Sequence, residues 1–143
     1  MPNSDPSRVM SPLNLIVKLQ AGRSHTNSAA GHMLGAAIKQ GADAIGTLHD
    51  ARFVQLDDDT IGLFTTYDGD FDAYIYDFTK HLSEVFNLLL RNAVNPPPLP
   101  VEKNVQAFAD WVRERDLPTQ GMYYSAYPTL TVQDIHALAA ARV

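Results

Sequence analysis

His49, Tyr67 and Asp68 are the residues of this chain whose types and places could move a proton. An imidazole titrates near neutral pH, and a neighbouring carboxylate orients it and raises its basicity. His49 opens an alternating run, Leu48-His49-Asp50-Ala51-Arg52-Phe53-Val54-Gln55-Leu56, and a second run, Ile61-Gly62-Leu63-Phe64-Thr65-Thr66-Tyr67, leads to Asp68. Asp57-Asp58-Asp59 between them reads as a turn, so the two runs form a hairpin. A calcium loop would need ligands spread over a longer segment with a glycine and a closing Glu. With Leu56 opposite Thr60, His49 stands across from Tyr67, Ala51 from Thr65 and Arg52 from Phe64. His49 is therefore the candidate catalytic residue. The competing reading is a capping histidine that holds the base of the hairpin.

Alternation supplies the candidate binding residues. One face of the hairpin carries Ala51, Phe53, Ile61 and Leu63 and suits packing on helices. The other carries Arg52, Val54, Leu56, Phe64 and Thr66, too apolar a set to be left in water. Asn14-Leu15-Ile16-Val17-Lys18-Leu19-Gln20 is another strand candidate, with Lys18 on the same second face. Met122-Tyr123-Tyr124-Ser125-Ala126-Tyr127 reads as the last strand, ended by Pro128. Lys18 and Arg52 repel each other in an enclosed space unless an anion joins them. Lys18, Arg52, Thr66, Tyr67 and Tyr124 are thus the expected ligand-binding set, for a small organic acid or phenolate. The other register of the last strand brings in Tyr123, Ser125 and Tyr127. The competing reading pairs Arg52 with Asp50 or Asp68 and lets the Lys18 stem reach water.

The elements that position these residues follow from periodicity. Thr26, Asn27 and Ser28 are helix N-caps in waiting; Ala30, Met33, Leu34, Ala37 and Ile38 recur at helical spacing, and Gly41 suits the helix end. Asp68 or Asp70 caps a second helix, whose apolar stripe is Phe71, Ile75, Phe78, Leu82, Val85 and Leu89. Pro96-Pro97-Pro98-Leu99-Pro100 predicts a stiff connection. An extra helix over 101–115 turns Val105, Phe108, Ala109 and Val112 inward, with Trp111 packing beside them. Thr131 with Asp134 forms a capping box for a last helix through Ile135, Leu138 and Ala139. Residues 1–12 are polar and proline-rich and read as a flexible tail; residues 13–143 read as one domain.

Composition narrows the function classes. The net charge of -5, with no cluster of Lys and Arg, disfavours nucleic acid and anionic lipid. With no cysteine there is no disulfide framework, thiolate metal site or cysteine nucleophile. The first residues lack a signal-peptide pattern and no run reaches the ~20 apolar residues of a membrane span, so the expectation is a cytoplasmic protein. No metal spacing, phosphate loop or Ser-His-Asp signature appears among the motifs.

Strand-helix-strand repeated twice is the split βαβ, ferredoxin-like arrangement: an α+β fold with a four-stranded antiparallel sheet and helices on one face. On this topology, with Leu48-His49-Asp50-Ala51-Arg52-Phe53, Leu56-Asp57-Asp58 and Tyr67-Asp68-Gly69, the chain resembles a bacterial branch of the dimeric α+β barrel superfamily. The resemblance implies a homodimer whose sheets face each other around a ligand cavity. It implies no cofactor. It also opens two alternatives: a haem protein using His81 of the second helix, and a non-enzymatic stress-response or binding module.

Overall fold

The computed structural model describes residues 3–23, 32 and 35–142. The cap candidates Thr26, Asn27 and Ser28, with Ala30, Met33 and Leu34, lie outside the described residues. Three strands form one antiparallel sheet in the order β1-β3-β2: β1 Met10–Lys18, β2 Leu48–Asp57 and β3 Thr60–Asp68. Five α-helices are described: α1 Gly35–Ile45, α2 Phe71–His81, α3 Ser83–Leu90, α4 Val105–Arg115 and α5 Val132–Ala141. The architecture is α+β, as expected, but the described sheet has three strands rather than four.

The central strand β3 is buried along most of its length, whereas β2, at the edge, is largely exposed. Ala51 pairs with Thr65 and Arg52 with Phe64, in the register the alternation predicts. Both ends of the hairpin differ. At the turn, Asp57 rather than Leu56 stands opposite Thr60, across a register shift that follows Gln55. At the base, Leu48 takes the place opposite Tyr67, and a bulge leaves His49 between the paired positions Leu48 and Asp50.

The helices lie on one face of the sheet, over Leu13, Leu15, Val17 and Leu63. A chain of aromatic contacts runs outward from the sheet. Tyr67 stacks on Tyr74 with centroids 4.0 Å apart; Tyr74 meets Phe78 edge-on at 4.5 Å, Phe78 meets Phe86 at 5.1 Å and Phe86 meets Phe108 at 6.0 Å. Thr65 Oγ1 and the Tyr74 hydroxyl share a buried hydrogen bond of 2.7 Å, which satisfies the polar end of that stack.

Two helix boundaries depart from the sequence reading. Gly41 does not end α1, which continues to Ile45, with Gly46 at φ 73 beyond it. Gly41 serves packing instead. A Cβ there would meet the Leu82 side chain and lie 2.7 Å from the His81 carbonyl oxygen. The second apolar stripe is continuous in burial but not in backbone: Leu82, at φ -132 and ψ 16, separates α2 from α3. The extra helix likewise begins at Val105, after a single 3-10 turn Val101–Lys103.

The outer edge of β1 is occupied by other parts of the chain. Val9 donates to the Pro128 carbonyl, Leu117 to that of Asn14, Val94 to that of Lys18 and Gln20 to that of Asn92. The Asn14 N–H is taken by the Asp116 carboxylate at 2.9 Å. Residues 122–127 therefore form no strand, although their composition favours one. The hydrogen-bonding groups they would need on β1 are already engaged, and Gly121 at φ 71 turns the chain away. The strand β1 itself starts at Met10, within the span whose composition suggests a tail.

Candidate functional site

The end of β3 gathers three elements around one carboxylate. Gly69, at φ 83, lets the chain turn sharply, and Asp70 caps α2 by accepting from the Ala73 N–H at 3.1 Å. Asp68 is thereby left free of capping. Its Oδ1 lies 2.6 Å from His49 Nε2, and its Oδ2 accepts the Val132 N–H at 2.7 Å. Both side chains are nearly enclosed, 13% and 8% exposed. Asp68 orients the imidazole through Nε2 and at the same time holds the first residue of α5. Gln133 adds a bond to the Gly46 carbonyl at 2.9 Å. This is a clasp joining the β2 bulge, the end of β3 and the last helix.

A second polar region forms where residues 3–9 lie beside residues 119–128. Asn3 is 5% exposed although far from the core in sequence. Its Nδ2 donates to Asp116 Oδ1 at 3.1 Å and to the Leu117 carbonyl at 3.1 Å, and its Oδ1 accepts the Thr119 N–H at 2.8 Å. Burial raises the Asp116 carboxyl above its ordinary pKa, opposed by the hydrogen bonds from the Asn14 backbone and the Asn3 side chain. The Arg8 guanidinium donates to the Met10 and Asn3 carbonyls and lies 4.8 Å from the centre of the Tyr123 ring.

Together these segments enclose an open cleft of about 520 Å³, lined among others by Asp5, Ser7, Arg8, Tyr123, Tyr124 and Ser125. That volume lies within the range of small-molecule sites. Two hydrogen bonds from Ser7, first through its hydroxyl and then through its N–H, hold the Asp5 carboxyl below its ordinary pKa. The cleft therefore presents a carboxylate and a guanidinium on a wall of tyrosines and hydroxyls.

The sequence-predicted residues separate into groups. Thr66 and Tyr123 meet on the sheet face away from the helices, the Tyr123 hydroxyl donating to Thr66 Oγ1 at 3.3 Å. Tyr124 lines the cleft and is 75% exposed. Tyr67 lies on the opposite face, against Tyr74, where burial chiefly, helped by the fields of Asp116 and Asp70, pushes its phenol up to about 12. Lys18 is exposed at the end of β1. Arg52 lies over the Phe64 ring at 5.6 Å. These two cations stand opposite Thr60 and Phe64, on strands either side of β3. Strand geometry puts them about 16 Å apart, too far to hold one small anion within a single chain. His49 does not line the cleft. His32, His81 and His136 are exposed. Among the described residues, no three His, Cys, Asp or Glu side chains gather as a metal site would require, and no helix is long and apolar enough to cross a membrane.

Arg8, Asn3 and Asp5 were not legible as site residues. Nothing in a polar stretch without periodicity signals contacts with residues 116–125. The chain matches no family model, no curated protein and no solved structure.

Proposed function

We propose that this chain is a small-molecule-binding protein that acts as a homodimer, and that its ligand is a small aromatic compound carrying an acidic group. The cleft beside Arg8 is the observation that carries this reading. Tyr124 offers an exposed ring for stacking, Arg8 has guanidinium donors beyond the two it gives to carbonyls, and Ser125 adds a hydroxyl. The Asp5 carboxylate beside Arg8 selects against heavily charged anions, so monoanions and zwitterions fit better than phosphorylated compounds. In this reading His49 is structural and the protein binds without catalysing.

The ferredoxin-like relationship remains part of the proposal, without the face-to-face packing of a barrel. A split βαβ fold puts its fourth strand beside β1, and Asp116 lies there, making a single antiparallel bridge to Leu15. Strand β2 leaves Phe53 and Leu56 exposed, at 42% and 47%. Such a surface favours association.

Saturation-transfer NMR against aromatic monoacids, aromatic zwitterions and phosphorylated aromatics tests the binding reading. Monoacids or zwitterions should show transfer that disappears in Tyr124→Ala and weakens in Arg8→Gln but persists in His49→Ala. Absence of binding across the panel, or binding insensitive to Tyr124, would sink it.

A further inference from the structure

The two edges of the sheet are unequal. The outer side of β1 is hydrogen-bonded to residues 92, 94, 117 and 128. Among the described residues, no strand pairs with the outer side of β2, which is ten residues long. Alternate N–H and C=O groups of an edge strand point outward and are a template for another strand. This edge also exposes Phe53, at 42%, and Leu56, at 47%. Proteins usually blunt such an edge or use it.

We propose that the outer edge of β2 is a self-association site, at which a second copy of this chain pairs its own β2 antiparallel about a two-fold axis at Ala51. The proposal rests on the homodimer reading and names its surface. The register follows from the faces and the charges. A two-fold axis normal to the sheet keeps each face on its own side, so only residues of the same face stand opposite one another and the axis passes through a residue. Centred on Asp50 or on Arg52, it sets like charges face to face. Centred on Phe53, it puts Arg52 against Val54 and Asp50 against Leu56. Centred on Val54, it puts Asp50 against Asp58. Centred on Ala51, it sets Asp50 opposite Arg52 of the partner subunit, and the reverse by symmetry. Opposite charges then face each other twice on the open face of the sheet, and the smallest side chain of the strand sits at the axis. On the helix face, Phe53 reaches the bulged end of the partner strand, near Leu48 of the partner subunit, and loses its exposure to water. Within the regular stretch from Asp50 to Gln55, only this centring pairs opposite charges.

Sedimentation equilibrium of the full chain across the micromolar range tests the pairing. The wild type should be dimeric. Arg52→Asp sets two carboxylates opposite one another and should raise the dimer Kd roughly 100-fold, while Asp50→Arg combined with Arg52→Asp should restore it. Leu56→Lys lies outside the paired stretch and should leave the dimer intact. Circular dichroism of each variant confirms that it folds. A dimer that resists Arg52→Asp, or is not restored by the double exchange, overturns the edge pairing while leaving the homodimer reading in place. A dimer lost in Leu56→Lys but kept in Arg52→Asp means the copies meet through another surface and overturns it as well. A monomeric wild type removes both readings. Ligand binding in the cleft is scored separately and should be the same in all variants.

Discussion

Asp68 and His49 are 2.6 Å apart at the base of the hairpin, and the same carboxylate holds the Val132 N–H at 2.7 Å. None of the residues of α5 is buried, and its apolar Leu138 is 60% exposed. The last helix is therefore placed by its first turn: by Asp68, by Gln133 and by the Thr131–Asp134 capping box. Asp68→Ala removes the shared acceptor and should cost about 2 kcal/mol of stability, with faster amide exchange at Val132. His49→Ala should cost less, and the double variant should cost less than the sum, because both act through one carboxylate. Additive losses in chemical denaturation would show that the clasp is not a unit.

Tyr67 should make the protein sensitive to alkali. Its phenol ionises at about 12 in the fold and at 10.0 in the unfolded chain. Between those values the folded state holds the proton more tightly, so the contribution is intact below pH 10 and is lost as pH rises towards 12. The loss should approach about 2 kcal/mol. Tyr74, also raised by burial, adds to it. Melting temperature measured against pH should fall through this window, and less steeply in Tyr67→Phe. Equal slopes in the two proteins would contradict the argument.

Asp116 works in the opposite range. Burial raises its pKa, so the folded chain keeps the proton while the unfolded chain has lost it. Stability from this group is present below the ordinary carboxylate value and falls as pH rises through the raised one. Asp116→Asn retains one acceptor for Asn3 and Asn14 and removes the titration. Its stability relative to wild type should rise between mildly acidic and neutral pH. A difference that is flat with pH, in urea denaturation at several pH values, would mean that Asp116 is not buried in solution.

Gly41→Ala should destabilise despite the higher helix propensity of alanine. The gain of about 1 kcal/mol from propensity is outweighed by separating α1 from the His81 carbonyl and Leu82, at about 1 to 3 kcal/mol. Thermal denaturation should show a lower Tm, whereas Gly35→Ala, where nothing lies within reach of a Cβ, should be neutral or stabilising.

Tyr124→Ala should change stability by less than about 0.5 kcal/mol, since its side chain is 75% exposed. The same change should abolish binding in the cleft. Lost stability with retained binding would reverse the assignment.

Local pattern carried the hairpin, the apolar stripes and the capping box, because alternation and cap chemistry act over a few residues. It failed where distant parts compete. Gly41 looks like a helix end, and only contact with Leu82, from a later element, shows that it is a packing position. Residues 122–127 have strand propensity, yet Asp116, Leu117 and Pro128 satisfy β1 before them. Asn3 and Asp116 meet across 113 residues with no periodic signal at either end. For the cleft, Tyr124 was named from an expected strand that does not form, Thr66 does not line it, and Arg8 lies in a stretch without any pattern. Lys18 and Arg52 share a face, but alternation carries no information about their separation along it.

The occupied outer side of β1 has a consequence for growth. A sheet open at both edges can add copies without end and becomes a fibre. This sheet is closed on one side by its own backbone, through Val9, Asn14, Lys18 and Gln20. Among the described residues, the outer side of β2 is the edge left unpaired, so growth by strand addition would stop after one copy. Asn92, Val94, Leu117 and Pro128, from both sides of α4, thus occupy the edge of β1 that another strand would need.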